Sequence, residues 1–280
     1  MISLAAVLPI FNFATNSIAQ RIAGVDPAVC LSRFVDYPPS KGKLGFPRCL
    51  FEKPFPTNEK FWLKGVDFSC VSPWNDECGT ARAGTLISKR HVIFAKHFPL
   101  WKGVRIVFVS NDGDVCPCYI EGTRAIENSD IMIGLLNAEV TPGIRPAKIL
   151  PYDAEKYIGN GEGLPLVYFN REERLSLAEV DPMPIECSAW RIMYGRRPSD
   201  PKWKRVFLPV VVGDSGNPAF LLLGNEPVLL FCMETGGRGA GSGPAIHRQQ
   251  AKIQAAMDEL CPGYKLEKFD FTKVRCGDGK

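Results

Sequence analysis

The feature that most constrains the fold is a series of short apolar runs separated by turn residues, which begins near Phe61. Two of these runs, at 105–110 and 115–121, flank Asn111-Asp112-Gly113, a sequence typical of the turn in a β-hairpin. The chain of 280 residues contains 26 glycines and 23 prolines. Because both residue types favour turns and interrupt helices, this content indicates a loop-rich, all-β protein.

Five further apolar runs predict additional strands, at 164–168, 175–180, 206–212, 219–223 and 228–233. One segment has a different period. Between Ile246 and Leu260 the apolar residues recur at helical spacing, and Cys261-Pro262-Gly263 ends the pattern. The last alternating segment, at 264–271, predicts an edge strand after this helix.

A glycine-rich turn, Gly213-Asp214-Ser215-Gly216-Asn217-Pro218, lies between two of the predicted strands. Glycines beside a serine allow a sharp bend and expose backbone N–H groups. A serine hydroxyl becomes a strong nucleophile when a base removes its proton and N–H groups bind the developing oxyanion. Taken alone, the segment is equally compatible with an ordinary hairpin loop.

Two upstream segments favour the chemical interpretation. Residues 83–88 read AGTLIS and are followed by HVIFAKH at 91–97, and residues 128–136 read NSDIMIGLL. With the serine turn, these segments resemble the trypsin/chymotrypsin-like serine peptidases, which carry A/G-G-T/S-L-I-S, A-x-H, D-I-A-L-L-like and G-D-S-G-G-P blocks. The chain order His, Asp, Ser agrees with that family. The resemblance covers roughly residues 61–260.

The resemblance implies an all-β fold of two six-stranded antiparallel barrels with a C-terminal helix and a site in the cleft between the barrels. His97 would be the general base, Asp130 would orient its imidazole, and Ser215 would be the nucleophile. The N–H groups of Gly213 and Ser215 would form the oxyanion hole. No metal ion or organic cofactor is required by this mechanism.

The chain has only three histidines, so the alternatives to His97 are few. His91 begins a predicted strand, which favours a structural role in hydrogen bonding. His247 lies in the first turn of the predicted helix, which favours a solvated or capping role.

Four positions depart from the animal digestive members of the family and indicate a divergent, bacterial-type member. Phe98 and Val211 stand where those enzymes have half-cystines, and Asn217 replaces the second glycine of G-D-S-G-G-P. Pro209 stands six residues before the serine, at the base of the specificity pocket.

By position, the substrate pocket is lined by six residues from three segments: Pro209, Val210, Glu234, Thr235, Gly236 and Gly243. An apolar base at Pro209 and Val210 favours small to medium apolar residues at P1. Glu234 would instead favour Lys or Arg if its side chain turned inward. The alternative is that it points to solvent, since neighbours on a strand face opposite ways.

Asp214, next to the nucleophile, requires a cationic or hydrogen-bonding partner if it is buried. In zymogen-activated relatives that partner is a newly cut N-terminus, and Arg21-Ile22-Ala23-Gly24 is superficially similar to such a cleavage site. However, far more residues separate Ile22 from the AGTLIS strand than in the family, which argues against activation by cleavage.

Ten cysteines, an even number, favour an oxidising compartment and disulfide bonds. Cys116-Pro117-Cys118 has no second ligand pair at zinc spacing, which argues against a metal site. The sequence does not determine the pairing, although Cys70 with Cys78 and Cys261 with Cys276 are short-loop candidates.

The N-terminal residues 2–14 form an apolar stretch too short to cross a bilayer as a helix. Ser17-Ile18-Ala19 suits cleavage by signal peptidase before Gln20, although the first positive side chain is Arg21. We therefore predict a signal peptide at 1–19, an extension at 20–57 and a peptidase domain at 58–280 in a secreted or periplasmic protein. The alternative is a buried strand or helix of an N-terminal extension.

The leading functional hypothesis is a serine endopeptidase that acts on a protein or peptide substrate. The alternatives are a catalytically inactive binding protein on the same scaffold and an esterase with the same triad. A net charge of +4 without an extended Lys/Arg cluster argues against nucleic-acid binding. Stable membrane insertion is not expected, and the oligomeric state is left open.

Overall fold

The computed structural model describes residues 14, 18–35, 56–72, 82–181, 192–236 and 239–273 of the chain. Strands form most of the regular structure in these residues. In chain order the strands are β1 Val71–Ser72, β2 Gly84–Ser88, β3 His91–Ala95, β4 Arg105–Val109, β5 Val115–Ala125, β6 Ile131–Leu136, β7 Lys148–Ile149, β8 Pro165–Phe169, β9 Leu175–Asp181, β10 Ile192–Arg196, β11 Pro218–Leu223, β12 Glu226–Cys232 and β13 Gly239–Pro244. The helices are α1 Pro27–Cys30, α2 Glu155–Ile158, α3 Pro201–Lys204 and α4 Ile246–Leu260, followed by a 3-10 helix at Phe271–Lys273.

The first sheet contains six antiparallel strands in the order β1-β2-β3-β6-β5-β4. The hydroxyl of Ser72 on β1 donates a hydrogen bond to the carbonyl of Val107 on β4, so the two edge strands approach each other. The sheet is therefore a nearly closed barrel. This confirms the prediction of a six-stranded antiparallel barrel in the first half of the chain.

The hairpin predicted around Asn111-Asp112-Gly113 is present between β4 and β5. Gly113 adopts a φ of 92°, a left-handed conformation that glycine adopts without a steric penalty. Side chains of β5 alternate between buried and exposed positions over its first half. The alternation shows that one face of β5 covers the barrel core and the other faces solvent.

The second sheet contains seven strands in the order β13-β10-β9-β8-β11-β12-β7. All of its pairs are antiparallel except that of β12 with β7. Phe68, which precedes β1, packs edge to face on Phe169 of β8 and Phe220 of β11. A shared apolar core therefore joins the first barrel to one side of the second sheet.

The strand predicted at 206–212 is absent, because side chains satisfy the backbone there. The Leu208 carbonyl accepts hydrogen bonds from the Tyr168 hydroxyl and from the Ser176 hydroxyl. The Leu208 N–H donates to the Ser176 hydroxyl oxygen at 2.8 Å. The segment instead follows α3, and the Val206 N–H donates to the Trp203 carbonyl at 3.1 Å.

The helix predicted between Ile246 and Leu260 is confirmed as α4. Its buried residues recur at helical spacing, and the helix packs against β5, β6 and β12. The edge strand predicted at 264–271 is reduced to a single parallel bridge between Lys268 and Ile149. The Asp270 carboxylate accepts hydrogen bonds from the N–H and hydroxyl of Thr272, which turns the chain out of the sheet.

The six cysteines in the described residues are all free thiols: Cys30, Cys70, Cys116, Cys118, Cys232 and Cys261. The short-loop pairings of Cys70 with Cys78 and of Cys261 with Cys276 involve partners outside the described residues. Disulfide formation in the mature protein remains a prediction.

The predicted signal segment lies outside the described residues except at Ala14 and at the start of a helical turn covering 18–22. Ala14, Ile18 and Ile22 are buried against the two apolar cores. Cleavage before Gln20 would therefore remove two buried side chains. None of the helices in the described part of the chain has the length and hydropathy that a membrane crossing requires.

Candidate active site

The three residues expected to form the triad meet in one hydrogen-bonded chain. Ser215 Oγ lies 2.9 Å from His97 Nε2, and His97 Nδ1 lies 2.6 Å from Asp130 Oδ2. The other carboxylate oxygen of Asp130 accepts the backbone N–H of His97 at 2.8 Å. The His97 side chain is 44% exposed whereas that of Asp130 is 10% exposed. The imidazole is thus open to a substrate, and the carboxylate is shielded behind it.

Two neighbouring strand ends place His97 beside Asp130. Ala95, the last residue of β3, pairs with Ile131, the first residue of β6. Just beyond this pair, the Lys96 N–H donates to the Asp130 carbonyl at 2.9 Å. Both side chains therefore leave the barrel at the same rim, because antiparallel pairing brings the end of one strand to the start of the other.

Two glycines shape the turn that presents Ser215. Gly213 has a φ of 98° and Gly216 a φ of 81°, both in the left-handed region. The Gly216 N–H donates to the Met233 carbonyl at 2.8 Å, and the Met233 N–H donates to the Asn217 carbonyl at 2.9 Å. The turn is thereby fixed to the residue that follows β12.

Asn217, which replaces a glycine of the family motif, has no positive φ and therefore needs no glycine. Its side-chain amide donates to the Asp214 carbonyl at 3.0 Å, and the residue is fully buried. The substitution adds a hydrogen bond that a glycine could not make, so it is compatible with the turn.

The backbone N–H groups of Gly213 and Ser215 are the expected oxyanion-binding donors. Neither donates a hydrogen bond to another group of the described residues. Both donors are therefore available to an acceptor that approaches the Ser215 hydroxyl.

The Asp214 carboxylate is completely buried and is held by two backbone amides. The Arg171 N–H donates to Oδ1 at 2.9 Å, and the Val211 N–H donates to Oδ2 at 2.8 Å. Burial raises the pKa of Asp214, while these two hydrogen bonds and the charge of Arg171 oppose the rise. Within the described residues, the partners of the Asp214 carboxylate are thus backbone amides of Arg171 and Val211.

Arg21, the residue before the superficially similar cleavage site, has other contacts. Its guanidinium donates to the Lys64 carbonyl at 3.3 Å and to the Asn225 side chain at 2.5 Å. Ile22 is buried in the core. In the intact chain, this segment is therefore held against the folded core.

Arg171 is a site residue that the sequence did not indicate. In addition to its amide contact with Asp214, its guanidinium donates to the Val212 carbonyl at 3.1 Å. Its side chain lies so close to Gly213 that a Cβ there would be 3.1 Å from Nη1. Arg171 therefore contacts both neighbours of Gly213, at the carbonyl of Val212 and the carboxylate of Asp214. It lies in the turn between β8 and β9, far from every motif in sequence, so no local signal marks it.

The residues expected to line the substrate pocket lie on three adjoining segments. The Val210 N–H donates to the Gly239 carbonyl at 3.0 Å, and the Glu234 N–H donates to the Ser242 carbonyl at 2.8 Å. Thr235 also pairs with Ser242. The structure thus brings the segments 209–212, 234–236 and 239–243 together beside the serine turn.

Individual pocket residues differ in exposure. Pro209, Thr235 and Gly236 are exposed, and Val210 is half-buried against the second core. Gly243 is buried, and a Cβ at this position would overlap the backbone of Cys232. Of the two residues expected at the apolar base, Val210 packs on the second core and Pro209 is exposed.

Glu234 is half-buried and lies within electrostatic range of the triad. Burial raises the pKa of its carboxyl, and the negative charge of Asp130 adds to this effect, while His97 opposes it. The side chain is therefore neither fully solvated nor enclosed.

The other two histidines have structural partners. His91 is completely buried, and its Nδ1 lies 2.8 Å from the Ser88 hydroxyl. The expectation of a solvated or capping His247 is wrong: this residue is buried, and its Nε2 lies 3.3 Å from Glu155 Oε1 on α2. Packing of α4 against α2 encloses the ring, which helical periodicity alone could not reveal.

In the described part of the chain, no group of three or more His, Cys, Asp or Glu side chains is arranged to hold a metal ion. No family model matches the sequence, and no curated protein matches it significantly.

Proposed function

We propose that this chain is a serine endopeptidase. The observation that supports the proposal is the continuous hydrogen-bonded chain from Ser215 Oγ through the His97 ring to the shielded Asp130 carboxylate. A serine is activated when a base lies within hydrogen-bond reach of its hydroxyl and a third group orients that base. The adjacent N–H groups of Gly213 and Ser215 add the second requirement, an oxyanion-binding site.

The proposal includes a chymotrypsin-like architecture with the second sheet as the second barrel. The bridge between Thr235 and Ser242 supports this, because it joins β13, at one edge of the sheet, to the segment after β12, near the other edge. The order His, Asp, Ser along the chain supports the same architecture.

In the proposed reaction, Ser215 Oγ attacks the carbonyl carbon of the scissile peptide while His97 Nε2 accepts its proton. Asp130 holds the imidazole in the required tautomer and stabilises its protonated form. The oxyanion accepts hydrogen bonds from the N–H groups of Gly213 and Ser215, and loss of one such donor costs about 3 kcal/mol in other enzymes. His97 then protonates the leaving amine, and water releases the acyl group by the reverse sequence of proton transfers.

A fluorophosphonate probe tests the nucleophile, because it reacts with an activated serine. We expect one label on the wild-type protein and none on Ser215→Ala, while the exposed control Ser199→Ala is labelled like the wild type. An unlabelled wild-type protein would favour the inactive binding protein, and a label that persists in Ser215→Ala would assign the chemistry to another serine. Cleavage of aryl esters without cleavage of a peptide library would favour the esterase.

For specificity, we propose a preference for small to medium apolar residues at P1. The half-buried Val210 beside the serine turn supports this, and no aspartate stands six residues before Ser215. A buried P1 cation without a paired carboxylate would be costly by several kcal/mol. Peptide-library profiling tests it, and an Arg/Lys preference that disappears in Glu234→Gln would show that Glu234 controls the pocket instead.

A further inference from the structure

A second cluster of nucleophilic side chains lies on β5, apart from the triad. Cys116 and Cys118 are separated by Pro117, and residues two apart on a strand project to the same face. Their Sγ atoms are 4.0 Å apart. Both residues are buried, with 4% and 2% of their surface exposed.

This pair differs chemically from the other buried cysteines. Burial raises the pKa of Cys30, Cys70 and Cys232, so each of these remains a protonated thiol. In contrast, the hydrogen bond from the Cys118 thiol lowers the pKa of Cys116 to about 6 despite its burial.

The backbone N–H of Thr141 adds a second hydrogen bond to Cys116 Sγ, at 3.4 Å. The pKa of Cys118 is raised, because its thiol is the donor to Cys116 and is also buried. The contact between the two sulfur atoms therefore favours loss of a proton at Cys116 over loss at Cys118. A thiolate next to a thiol is the arrangement required for oxidation to a disulfide.

A metal site is the less favoured interpretation of the pair. Structural zinc sites need four ligands, and no further His, Cys, Asp or Glu side chain of the described residues joins the two sulfur atoms. The contact between the two sulfur atoms instead brings a nucleophile and a resolving thiol together.

We propose that Cys116 and Cys118 form an oxidation site at which a hydroperoxide converts the two thiols into an intrachain disulfide. The Cys116 sulfur loses its proton and attacks one peroxide oxygen, the O–O bond breaks, a sulfenic acid forms on Cys116, and the released hydroxide takes up that proton and leaves as one water. Cys118 then attacks the Cys116 sulfur, the S–S bond forms and a second water leaves. One hydrogen peroxide is thus reduced to two waters while two thiols are oxidised.

The strand permits the small movement that this step needs. Pro117 has no N–H to donate, and at this position β5 pairs only with β4, since its pairing with β6 begins at Ile120. The neighbouring β4 is an edge strand of the first sheet. The backbone between the cysteines is therefore less constrained than that of a central strand.

Peptide mass mapping tests the proposal on the full-length protein. The protein is fully reduced, freed of reductant, treated with an equimolar amount of hydrogen peroxide, then unfolded in acid and alkylated with a maleimide. We expect the peptide that carries both cysteines to lose two hydrogen atoms and to take no maleimide, and dithiothreitol should reverse this. Cys232→Ser, a matched buried cysteine, should leave the result unchanged.

Two variants separate the roles of the pair. In Cys118→Ser, oxidation should stop at a sulfenic acid on Cys116, which dimedone captures. In Cys116→Ser, Cys118 should remain available to the maleimide. Three results would each overturn the proposal. They are full alkylation of both cysteines in the peroxide-treated wild type, a sulfinic acid in place of the disulfide, and a disulfide between Cys116 and a cysteine other than Cys118. Peptide mass mapping of the wild type shows whether the disulfide forms even if a variant fails to fold. None of these measurements depends on hydrolase activity, so they are independent of the proposed function.

Discussion

At the scale of single residues, the contrast between His97 and His91 shows how position on one strand determines chemistry. His91 starts β3, where its ring is enclosed and lies edge-on to Tyr264 at 5.4 Å between ring centroids. His97 lies two residues beyond the end of the same strand and projects from the barrel rim with almost half of its side chain exposed. Burial makes the first a packing residue, and exposure leaves the ring of the second open to a bound molecule.

The two histidines should respond differently to substitution. His97→Ala removes the base, so we expect kcat to fall by on the order of 10⁴-fold with an unchanged melting temperature. His91→Ala should retain kcat but unfold at a lower temperature, because it leaves a cavity and removes the contact of the ring with the Ser88 hydroxyl. Steady-state kinetics with thermal unfolding measures both effects. Equal losses of activity in two folded variants would show that the assignment of the base is wrong.

His91 should also make stability depend on pH. Burial lowers the pKa of His91 from 6.5 to about 4, so protons bind the unfolded chain more readily than the folded protein. The stability that His91 contributes is therefore fully present above about pH 6.5 and is lost as the pH falls toward 4. Urea unfolding should show this loss, on the order of 2 kcal/mol, in the wild type. In His91→Gln, the loss of unfolding free energy on acidification should be smaller by that amount. Parallel plots of unfolding free energy against pH for the two proteins would contradict the effect.

At the scale of elements, the serine turn depends on a segment distant in sequence. The backbone and the side chain of Arg171 hold Asp214 and Val212, which lie on either side of Gly213. This arrangement ties both neighbours of Gly213 to the turn between β8 and β9.

Removal of the Arg171 side chain should weaken catalysis more than substrate binding. Arg171→Ala loses the hydrogen bond to Val212 but retains the backbone contact with Asp214, so we expect kcat to fall roughly ten- to hundredfold with little change in KM. Arg174→Ala, in the same turn, serves as the control and should behave like the wild type. A kcat that is the same in all three proteins would show that the guanidinium does not position the turn.

The sequence predicted those parts of the site whose residues lie at strand ends. His97, Asp130 and Ser215 could be proposed because the motifs that carry them, each beside a recognisable apolar run, resemble motifs of the trypsin-like peptidases. Arg171 could not, because its contact with Asp214 joins residues 43 apart through a backbone amide. The segment 206–212 was misread as a strand for a related reason: its apolar composition is strand-like, but the polar side chains of Tyr168 and Ser176 take its hydrogen bonds.

At the scale of the whole molecule, a buried ion pair links the N-terminal segment to the second sheet. Arg33 Nη2 lies 2.7 Å from Glu173 Oε1, and the Arg33 and Glu173 side chains are only 5% and 1% exposed. The same guanidinium donates to the Phe68 carbonyl at 2.7 Å. Three distant parts of the chain are therefore joined at one point.

Breaking this ion pair from one side should destabilise the protein strongly. Arg33→Met leaves Glu173 buried without a partner, which costs about 3–5 kcal/mol in comparable cases. The double variant Arg33→Met with Glu173→Gln should recover part of this loss, because it removes the uncompensated charge. Urea unfolding of the four proteins in a double-mutant cycle measures the coupling. Additive effects of the two substitutions would show that the pair contributes no specific interaction.

The separation of the triad along the chain has a consequence for biosynthesis. His97 and Ser215 are 118 residues apart, and they meet only where the first barrel adjoins the turn before β11. A ribosome that has released only the first barrel therefore carries a chain that has His97 and Asp130 but lacks Ser215. Because Asp214 is held by amides of Arg171 and Val211, the serine turn takes its form as the second sheet folds. The order of synthesis thus delays the contact between His97 and Ser215 until the second sheet has emerged and docked.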